Sequence, residues 1–188
     1  DDTITVTVTV IDANDNTPTY SSSSTTQSIT ENTQAVDTVS ISDTDLDATN
    51  SNSCVLTGDD SNDFTCTADD DQYVLSFTNA PDYDTPGVED GDNVYNVNVA
   101  INDGDTTGQA IAYAITITDF NDETPAYASS NLNPSVVEGV SAVETVTITD
   151  TDALDSNGCL LGGVDADDFS CSISPTQFVL SFATAPDF

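Results

Sequence analysis

Apolar and polar residues alternate with a period of two in several segments of this chain. In residues 3–11, threonines alternate with the apolar side chains of Ile4, Val6, Val8 and Val10. Successive side chains of a strand point to opposite faces, so this pattern predicts a half-buried β-strand. The same alternation returns at residues 73–77, 95–101, 111–117 and 178–182. Asp, Asn, Gly and Pro separate these segments, and no stretch has a sustained helical period. The sequence therefore predicts an all-β fold, a β-sandwich of antiparallel strands.

The charge of the chain excludes several functions. Its 188 residues include 34 Asp and Glu but no Lys, Arg or His, which gives a formal net charge of −34. Nucleic acids and anionic membrane surfaces would repel such a chain. Catalysis by a Ser-His-Asp or Cys-His unit or by a Schiff-base lysine, and zinc held by histidine, are excluded because the side chains are missing. No apolar run approaches the roughly 18 residues of a membrane span, so direct membrane insertion is not expected either.

An internal repeat divides the chain. Residues 12–18, Asp-Ala-Asn-Asp-Asn-Thr-Pro, return 107 positions later as residues 119–125, Asp-Phe-Asn-Asp-Glu-Thr-Pro. Further landmarks recur at a spacing of 105 or 107 residues: Glu31 and Glu138, the Asp-Thr-Asp triplets at 43–45 and 150–152, two cysteine pairs, and the segments 80–83 and 185–188. Such regular self-similarity predicts two tandem domains of the same fold.

The Asp/Asn-rich segments supply the predicted domain boundaries. Residues 1–16 would be the last strand and linker of a preceding repeat, residues 17–123 a complete repeat, and residues 124–188 a second repeat that stops before its last two strands. These ends and the absence of Met indicate a processed chain or a piece of a longer array. Alternatively, the strand at residues 3–10 completes the sandwich of a neighbouring copy by strand donation.

The four cysteines form two pairs with the same spacing. Cys54 and Cys66 are 12 residues apart, and so are Cys159 and Cys171. Four cysteines allow three pairings, and the duplication favours the pairing within each repeat. Two disulfides of this kind indicate an oxidising, extracellular location. A metal-thiolate site is the competing interpretation, but it lacks a Cys-x-x-Cys spacing and a histidine.

The repeated motifs resemble a known family. Asp12-Ala13-Asn14-Asp15-Asn16-Thr17-Pro18 and residues 119–125 are similar to the Asp-x-Asn-Asp-Asn-x-Pro linker of cadherin repeats. Glu31 in Ile-Thr-Glu-Asn, the Asp-x-Asp triplets, and Pro81-Asp82-Tyr83-Asp84, which resembles the Leu-Asp-x-Glu motif, follow in the order of that family. The resemblance covers nearly the whole chain. It implies tandem Greek-key β-sandwiches of seven strands, with a cadherin-like, immunoglobulin-like architecture and calcium held at each linker.

The resemblance assigns ligands to three linkers. The linker between the two repeats would use Glu31, Asp82, Asp84, Asp119, Asn121, Asp122, Asp150 and Asp152, with Asn157 adding its carbonyl. The linker at the start of the chain would use Asp12, Asn14, Asp15, Asn16, Asp43, Asp45, Asn52 and Asp103. Glu138 and Asp187 would serve a third linker.

A physical argument supports calcium independently of the family. Two carboxylates about 4 Å apart repel by roughly 4 kcal/mol at an effective dielectric constant near 20. No side chain of this sequence can neutralise them, so the counter-charge has to come from solution. Hard oxygen ligands favour calcium over a soft transition metal, and magnesium dehydrates reluctantly. The alternative for many of the acids, such as Asp59, Asp60 and residues 69–71, is a solvated turn.

These patterns predict an extracellular or cell-surface protein without enzyme activity. Its function would be structural or adhesive, as an array of cadherin-like repeats made rigid by calcium. The array would belong to a bacterial-type surface or filament protein. It would associate with further copies or repeats of the same protein and with glycans or other surface proteins. A glycosidase would need two differentiated carboxyl groups, and nothing in the sequence distinguishes such a pair. The alternative function is a calcium-containing carbohydrate-binding sandwich module of a secreted enzyme, for which Tyr20 or Tyr127 would present the sugar platform. The run at residues 21–26, Ser-Ser-Ser-Ser-Thr-Thr, is a candidate for O-linked sugars.

Overall fold

The structure is a computed structural model that describes residues 2–22, 24–45, 52–69, 71–88, 91–128, 131–152 and 158–188. Its described residues form two compact units, Asp1–Thr118 (unit 1) and Asp119–Phe188 (unit 2). The domain boundary expected at residue 123 from the motif stays a prediction. Two 3₁₀ turns of three residues, Ser61–Asp63 and Ala166–Asp168, are the helical elements of the described chain, so none of its helices could cross a membrane.

The described residues of unit 1 form eight strands in two sheets. The strands are β1 (Thr19–Tyr20), β2 (Thr26–Thr30), β3 (Ala35–Ser42), β4 (Ser53–Thr57), β5 (Phe64–Ala68), β6 (Gln72–Phe77), β7 (Val94–Asn102) and β8 (Ile111–Thr118). The first sheet has the order β1-β3-β6-β5 and the second has the order β2-β8-β7-β4. The chain therefore crosses from one sheet to the other between β1 and β2.

The alternation in the sequence corresponds to one inward face on each sheet. Tyr73 and Leu75 of β6, Ile101 of β7, and Ile115 and Ile117 of β8 are almost completely buried in a single hydrophobic core. Burying a side chain of this size stabilises the fold by roughly 1.5 to 3 kcal/mol. The predicted all-β sandwich is confirmed for unit 1.

One pairing differs from the antiparallel arrangement expected from the sequence. β2 pairs with β8 in parallel, in a register that runs from Thr26 opposite Ala114 to Thr30 opposite Thr118. The other described pairings in both units are antiparallel. The parallel pair arises because the crossover after β1 places β2 beside the last strand of the unit.

A hydrogen-bond chain connects the two sheets inside unit 1. The hydroxyl groups of Tyr73 in the first sheet and Tyr113 in the second lie 2.8 Å apart. Tyr113 donates to Asp37 Oδ2 at 2.8 Å, and Ser22 Oγ donates to the same oxygen at 2.7 Å. Burial raises the pKa of both tyrosines above the ordinary value, and the pKa of Tyr73 is raised further by its hydrogen bond with Tyr113.

In unit 2, the part of the chain that the structure describes forms four strands in a single sheet. The strands are β9 (Ala126–Ala128), β10 (Ala142–Thr149), β11 (Phe169–Ser174) and β12 (Gln177–Phe182), in the order β11-β12-β10-β9. β10 and β12 correspond to β3 and β6, with the same bulge near the start of the pairing. Val146 and Ile148 are buried, while Leu160 is 97% exposed. No described strand faces this sheet, and Phe178 and Leu180 on its apolar side are only half-buried.

The two disulfides follow the predicted pairing. Cys54 is bonded to Cys66, and Cys159 is bonded to Cys171. Cys54 lies on β4 and Cys66 on β5, which are edge strands of opposite sheets. This bond therefore closes one side of the sandwich. Cys171 lies on β11, whereas Cys159 lies outside the described strands.

Residues 3–11 do not form the predicted half-buried strand in the described structure, and their assignment to the last strand of a preceding repeat stays a prediction. No described strand pairs with this segment, and the four apolar side chains of the alternation, Ile4, Val6, Val8 and Val10, are largely exposed. Alternation shows which face of a strand is suited to burial, but burial also needs a neighbouring strand and a facing sheet. Neither is supplied to this segment by the described residues.

Candidate metal sites

The first candidate site lies entirely within unit 1 and is called here the Asp103 cluster: Asp43, Asp45 and Asp103. β3 ends at Ser42 and leads into the first two residues, whereas β7 ends at Asn102 and leads into the third. One carboxylate oxygen of each residue lies within 4.8 Å of the others. Strand ends from opposite sheets therefore deliver three acids to one place.

The acids of the Asp103 cluster are sheltered from water. Asp103 is completely buried and Asp45 is 6% exposed. Asp103 Oδ1 accepts hydrogen bonds from the backbone N–H groups of Asp105 (2.9 Å) and Thr106 (2.7 Å), and Oδ2 accepts one from the Thr106 hydroxyl (2.9 Å). Burial by itself would raise the pKa of Asp103, but these hydrogen bonds outweigh it and lower the pKa. The turn therefore holds a buried carboxylate in its charged form.

Residues of unit 1 that precede β1 reach the same cluster. Asn14 donates from Nδ2 to the backbone oxygen of Asp103 at 3.1 Å. The backbone N–H of Asn16 donates to Asp45 Oδ2 at 2.9 Å, and its side chain donates to the other oxygen. Asn14 Oδ1 is buried and has no hydrogen-bond partner among the described residues. An orphaned buried oxygen beside three carboxylates fits a hard cation.

The second candidate site, called here the Glu31 cluster, consists of Glu31, Asp82 and Asp84. All three belong to unit 1, and one oxygen of each lies within 4.8 Å of the others. Glu31 is buried directly after β2, and its Oε2 accepts a hydrogen bond from the backbone N–H of Tyr83 at 2.7 Å. Thr85 donates to Asp82 from its hydroxyl (2.6 Å) and its backbone N–H (2.9 Å), and these bonds lower the pKa of Asp82.

Unit 2 repeats the local geometry of these sites. The backbone N–H of Glu123 donates to Asp152 Oδ2 at 3.0 Å, as Asn16 does to Asp45. The backbone N–H of Phe188 donates to Glu138 Oε2 at 3.2 Å, as Tyr83 does to Glu31. Homologous motifs therefore make homologous hydrogen bonds.

Two acids of unit 2 carry buried oxygens that lack partners. Both carboxylate oxygens of Asp150 and Oδ1 of Asp152 are buried without a hydrogen bond among the described residues. A buried carboxylate is stable only when a counter-charge or donors satisfy it, and no side chain of this sequence is cationic. These oxygens therefore fit a metal ion as well.

The other predicted ligands occupy more open positions. Asn52 donates from Nδ2 to the backbone oxygen of Asp69 at 3.1 Å and does not belong to either cluster. Asn157 lies outside the described residues. Asp119 is half-buried at the start of unit 2. Exposed positions are occupied by Asp12, Asp15, Asn121, Asp122 and Asp187.

Sequence reasoning missed the residues that hold the acids in place. Thr106 and Thr85 each stand three positions after the aspartate that they bind. Asp-x-x-Thr is a spacing at which side chains bond locally to turn backbone, so the sequence contains the signal. It also missed the backbone N–H of Tyr83 that donates to Glu31, because a backbone donor is not specified by the type of residue.

The two tyrosines suggested for a sugar platform differ in exposure. Tyr20 is turned toward the sandwich, and its hydroxyl accepts a hydrogen bond from the backbone N–H of Ile101. Tyr127 is 71% exposed. The two tyrosines therefore do not present equivalent exposed rings for a sugar.

Structural comparison identifies the fold. The chain is similar to the protocadherin gamma B7 extracellular cadherin domains 1–4, with 19% identity and a TM-score of 0.57 over 94% of this chain and 43% of that one. It is similar to mouse clustered PcdhgC3 EC1-3, with 21% identity and a TM-score of 0.57 over 95% and 60%. It is also similar to the protocadherin gammaB7 EC3-6 cis-dimer structure, with 20% identity and a TM-score of 0.56 over 94% and 43%.

The sequence comparisons add no relative. No protein-family model matches this sequence, and no curated protein matches it. The structural neighbours are longer chains, of which this one spans about two fifths to three fifths. The agreement in fold extends over almost all of the present sequence. The chain has the cadherin-like repeat fold.

Proposed function

We propose that this chain is part of an extracellular array of cadherin-like repeats that binds calcium and has a structural or adhesive role rather than an enzymatic one. The observation that carries the proposal is the Asp103 cluster: three acids within 4.8 Å, two of them buried, beside the orphaned Oδ1 of Asn14. At this distance each pair of charges repels by roughly 3 to 4 kcal/mol at an effective dielectric constant near 20. A bound cation removes that repulsion.

Calcium is the metal that this donor set suits. All candidate ligands are carboxylate, amide or backbone oxygens, and calcium takes six to eight such ligands at about 2.3 to 2.6 Å. Asp43, Asp45, Asp103 and Asn14 would hold one ion in unit 1, and Glu31, Asp82 and Asp84 would hold another. The charge supplied by the ion would neutralise the cluster, while the turn residues keep the acids oriented.

Calcium titration of the intact chain tests this proposal. Asp43→Asn removes one charge from the Asp103 cluster, and Asp59→Asn removes one from an exposed position outside both clusters. We expect the first variant to raise the calcium dissociation constant at this site about tenfold or more and the second to leave it nearly unchanged. Failure of the wild-type chain to take up calcium at millimolar concentration would contradict the proposal.

Rigidification of the linker is the mechanical part of the proposal. The ligand set inferred for the inner linker comes from both repeats, and the orphaned oxygens of Asp150 and Asp152 support a metal at its second half. Without calcium, the acids would repel and the linker would become a hinge, while the cores and disulfides keep each unit folded. Small-angle X-ray scattering should therefore give a broader distance distribution with chelator, and Asp150→Asn/Asp152→Asn should reproduce that change in calcium. An identical distribution with and without chelator would count against it.

Self-association into a filament is the second part of the proposal. The exposed apolar residues Ile4, Val6, Val8 and Val10 align with Ile111, Tyr113, Ile115 and Ile117 of β8. In unit 1 these β8 positions cover the first sheet, whereas the corresponding sheet of unit 2 has an open apolar face lined by Ile148, Phe178 and Leu180. Residues 3–11 of a second copy have the alternation that would suit this apolar face.

Sedimentation velocity at increasing protein concentration tests this association. Val8→Asp places a charge on the apolar side of the segment, and Thr7→Asp places the same charge on the polar side. We expect the first substitution to abolish association and the second to preserve it. A wild-type chain that stays monomeric would contradict the filament proposal but not calcium binding.

The polar run after β1 supports a proposal of O-linked sugars. Ser21, Ser24, Thr25 and Thr26 are exposed, whereas the Ser22 hydroxyl is engaged with Asp37. We expect intact-mass spectrometry of the secreted protein to show hexose additions that map to the exposed members of this run. An unmodified mass would remove this part of the proposal.

A further inference from the structure

Tyr20 connects the two strands that deliver acids to the Asp103 cluster. It lies on β1 opposite Ile41 of β3, and Thr19 lies opposite Ser42. These two ladder pairs fix β1 directly against the end of β3, immediately before Asp43. The Tyr20 hydroxyl accepts the backbone N–H of Ile101 at 2.9 Å, two residues before Asp103 on β7.

The Tyr20 hydroxyl takes the place of a ladder acceptor. The registered pairing of β7 with β8 ends at Val99 opposite Ile111, so Ile101 lies beyond it. Its carbonyl accepts the backbone N–H of Gly108 at 2.8 Å, while its own N–H is left for Tyr20. Ile101 is completely buried, and an unsatisfied N–H in that position would be costly.

The surrounding backbone is shaped for this ring. A Cβ atom added to Gly108 would lie 2.6 Å from Tyr20 Cε1 and 2.8 Å from both the Tyr20 hydroxyl oxygen and the backbone oxygen of Pro18. Only glycine leaves room for the tyrosine here. The ring also makes an edge-to-face contact with Tyr73, with centroids 5.9 Å apart. Packing and hydrogen bonding therefore fix the hydroxyl from several sides.

We propose that Tyr20 is a positioning residue for cation binding: its hydroxyl and ladder pairs set the distance between the Asp43/Asp45 strand and the Asp103 strand. These strands belong to opposite sheets, and no ladder between the described strands connects the two. The spacing of the three carboxylates therefore depends on contacts across the sandwich. Tyr20 makes one of these contacts between β1 and β7, and Asn14 and Asn16 add hydrogen bonds at the cluster itself. This inference rests on the proposed calcium binding.

Unit 2 provides a matched control for this role. Tyr127 stands 107 residues after Tyr20 and pairs with Ile148 as Tyr20 pairs with Ile41. It is 71% exposed and packs against Phe178. Tyr127→Phe thus removes the same oxygen from the same strand position, without a β7 strand to bind.

The experiment compares calcium binding by the intact chain and by Tyr20→Phe and Tyr127→Phe variants. Phenylalanine keeps the ring and its contact with Tyr73 and removes only the hydrogen-bond acceptor. We expect the dissociation constant at the Asp103 cluster, read from the amide resonances of residues 103–106, to rise about tenfold in Tyr20→Phe and to stay unchanged in Tyr127→Phe. A purely structural tyrosine would instead lower thermal stability in calcium-free buffer and leave the affinity unchanged.

A double-mutant cycle adds a second readout. In the Asp43→Asn background, the cluster is already incomplete, so Tyr20→Phe should have a clearly smaller effect on affinity. Equal effects in both backgrounds would overturn the positioning role. If the wild-type chain binds no calcium, the proposed function fails. If the wild-type chain and Tyr20→Phe bind calcium equally, only the present inference fails.

Hydrogen exchange of the unmodified chain covers the case in which Tyr20→Phe does not fold. Calcium should hold the two strand ends together and slow exchange of the Ile101 amide severalfold. The Ala183 amide, which donates to the backbone oxygen of Asp168 in unit 2, is the reference. An Ile101 exchange rate that does not respond to calcium would contradict the inference.

Discussion

The two units contain the same motifs but bury them to different extents. In unit 1, two sheets enclose a core in which Leu75 is completely buried, whereas in unit 2 the equivalent Leu180 is half-buried on a single sheet. The hydrogen bonds from Tyr83 to Glu31 and from Phe188 to Glu138 nevertheless form in both. These contacts of the acids therefore form with or without a second sheet, whereas burial of the core depends on that sheet.

The largest difference is expected from truncation of these two leucines. Leu75→Ala should lower the free energy of unfolding of unit 1 by about 2 to 5 kcal/mol, because it leaves a cavity in a closed core. Leu180→Ala should lower that of unit 2 by clearly less, because water already reaches the residue. Hydrogen exchange of β6 and β12 amides would report each unit separately. Equal effects would show that the open face of unit 2 is covered in solution.

Removal of the disulfides should give the next largest difference. Closing a loop of this size contributes about 3 kcal/mol in the chain-entropy model, so Cys54→Ser/Cys66→Ser should destabilise unit 1 by about that amount. Cys159→Ser/Cys171→Ser should cost unit 2 less, because the segment around Cys159 lies outside the strands and Leu160 stays exposed. Denaturant unfolding of each double variant would measure the difference. A larger loss from the second pair would contradict this ordering.

Alkaline pH should separate the units as well. The raised pKa of Tyr73 means that the folded state keeps its proton after the unfolded state has lost it. The contribution to stability is therefore complete below the ordinary tyrosine pKa near 10 and falls as pH rises above it, by about 1.4 kcal/mol per pH unit for each such tyrosine.

Phe178 occupies the position of Tyr73 in unit 2 and cannot titrate. Stability measured between pH 9 and pH 11 should therefore fall in unit 1 and change little in unit 2. Tyr73→Phe should reduce the pH dependence of the stability of unit 1 by the contribution of one tyrosine, about 1.4 kcal/mol per pH unit. If the pH dependence is the same in Tyr73→Phe, the titration of Tyr73 does not cause the loss of stability.

The smallest effect is expected from the turn that holds Asp103. Thr106→Val removes the hydroxyl that donates to Asp103 Oδ2 but keeps the backbone donors, and should cost about 1 kcal/mol. Thr107→Val is the matched control, since Thr107 Oγ1 accepts from the Asn102 side chain at an exposed position. Thermal unfolding in calcium-free buffer would detect the difference. A greater loss in the control would show that the turn does not depend on Asp103.

The alternation of apolar residues was sufficient to predict the strands, but not which strands pair or which sheet covers them. β6, β7, β8 and β12 were predicted within one or two residues, because burial on one face imposes a period of two. Residues 3–11 have the same pattern and remain exposed, because a pattern cannot specify which strand or sheet will cover it. The parallel pairing of β2 with β8 depends on a crossover that the sequence does not mark.

The candidate sites were predictable where they depend on acids in repeated motifs. Each member of the Asp103 and Glu31 clusters belongs to the ligand sets inferred from the sequence. The role of Tyr20 was not predictable, because it depends on Ile101 and Gly108, which lie more than 80 residues away. Residues that touch across a sandwich can be far apart in the sequence, so the sequence alone does not show that they are in contact.

The parallel pairing of β2 and β8 also determines how unit 1 would carry load. A pull on the start of β2 and the end of β8 acts along the strands in opposite directions, because both run the same way. The five registered residue pairs from Thr26 to Thr30 would then be strained together rather than opened one after another. In this shear geometry, all five pairs would oppose extension at the same time.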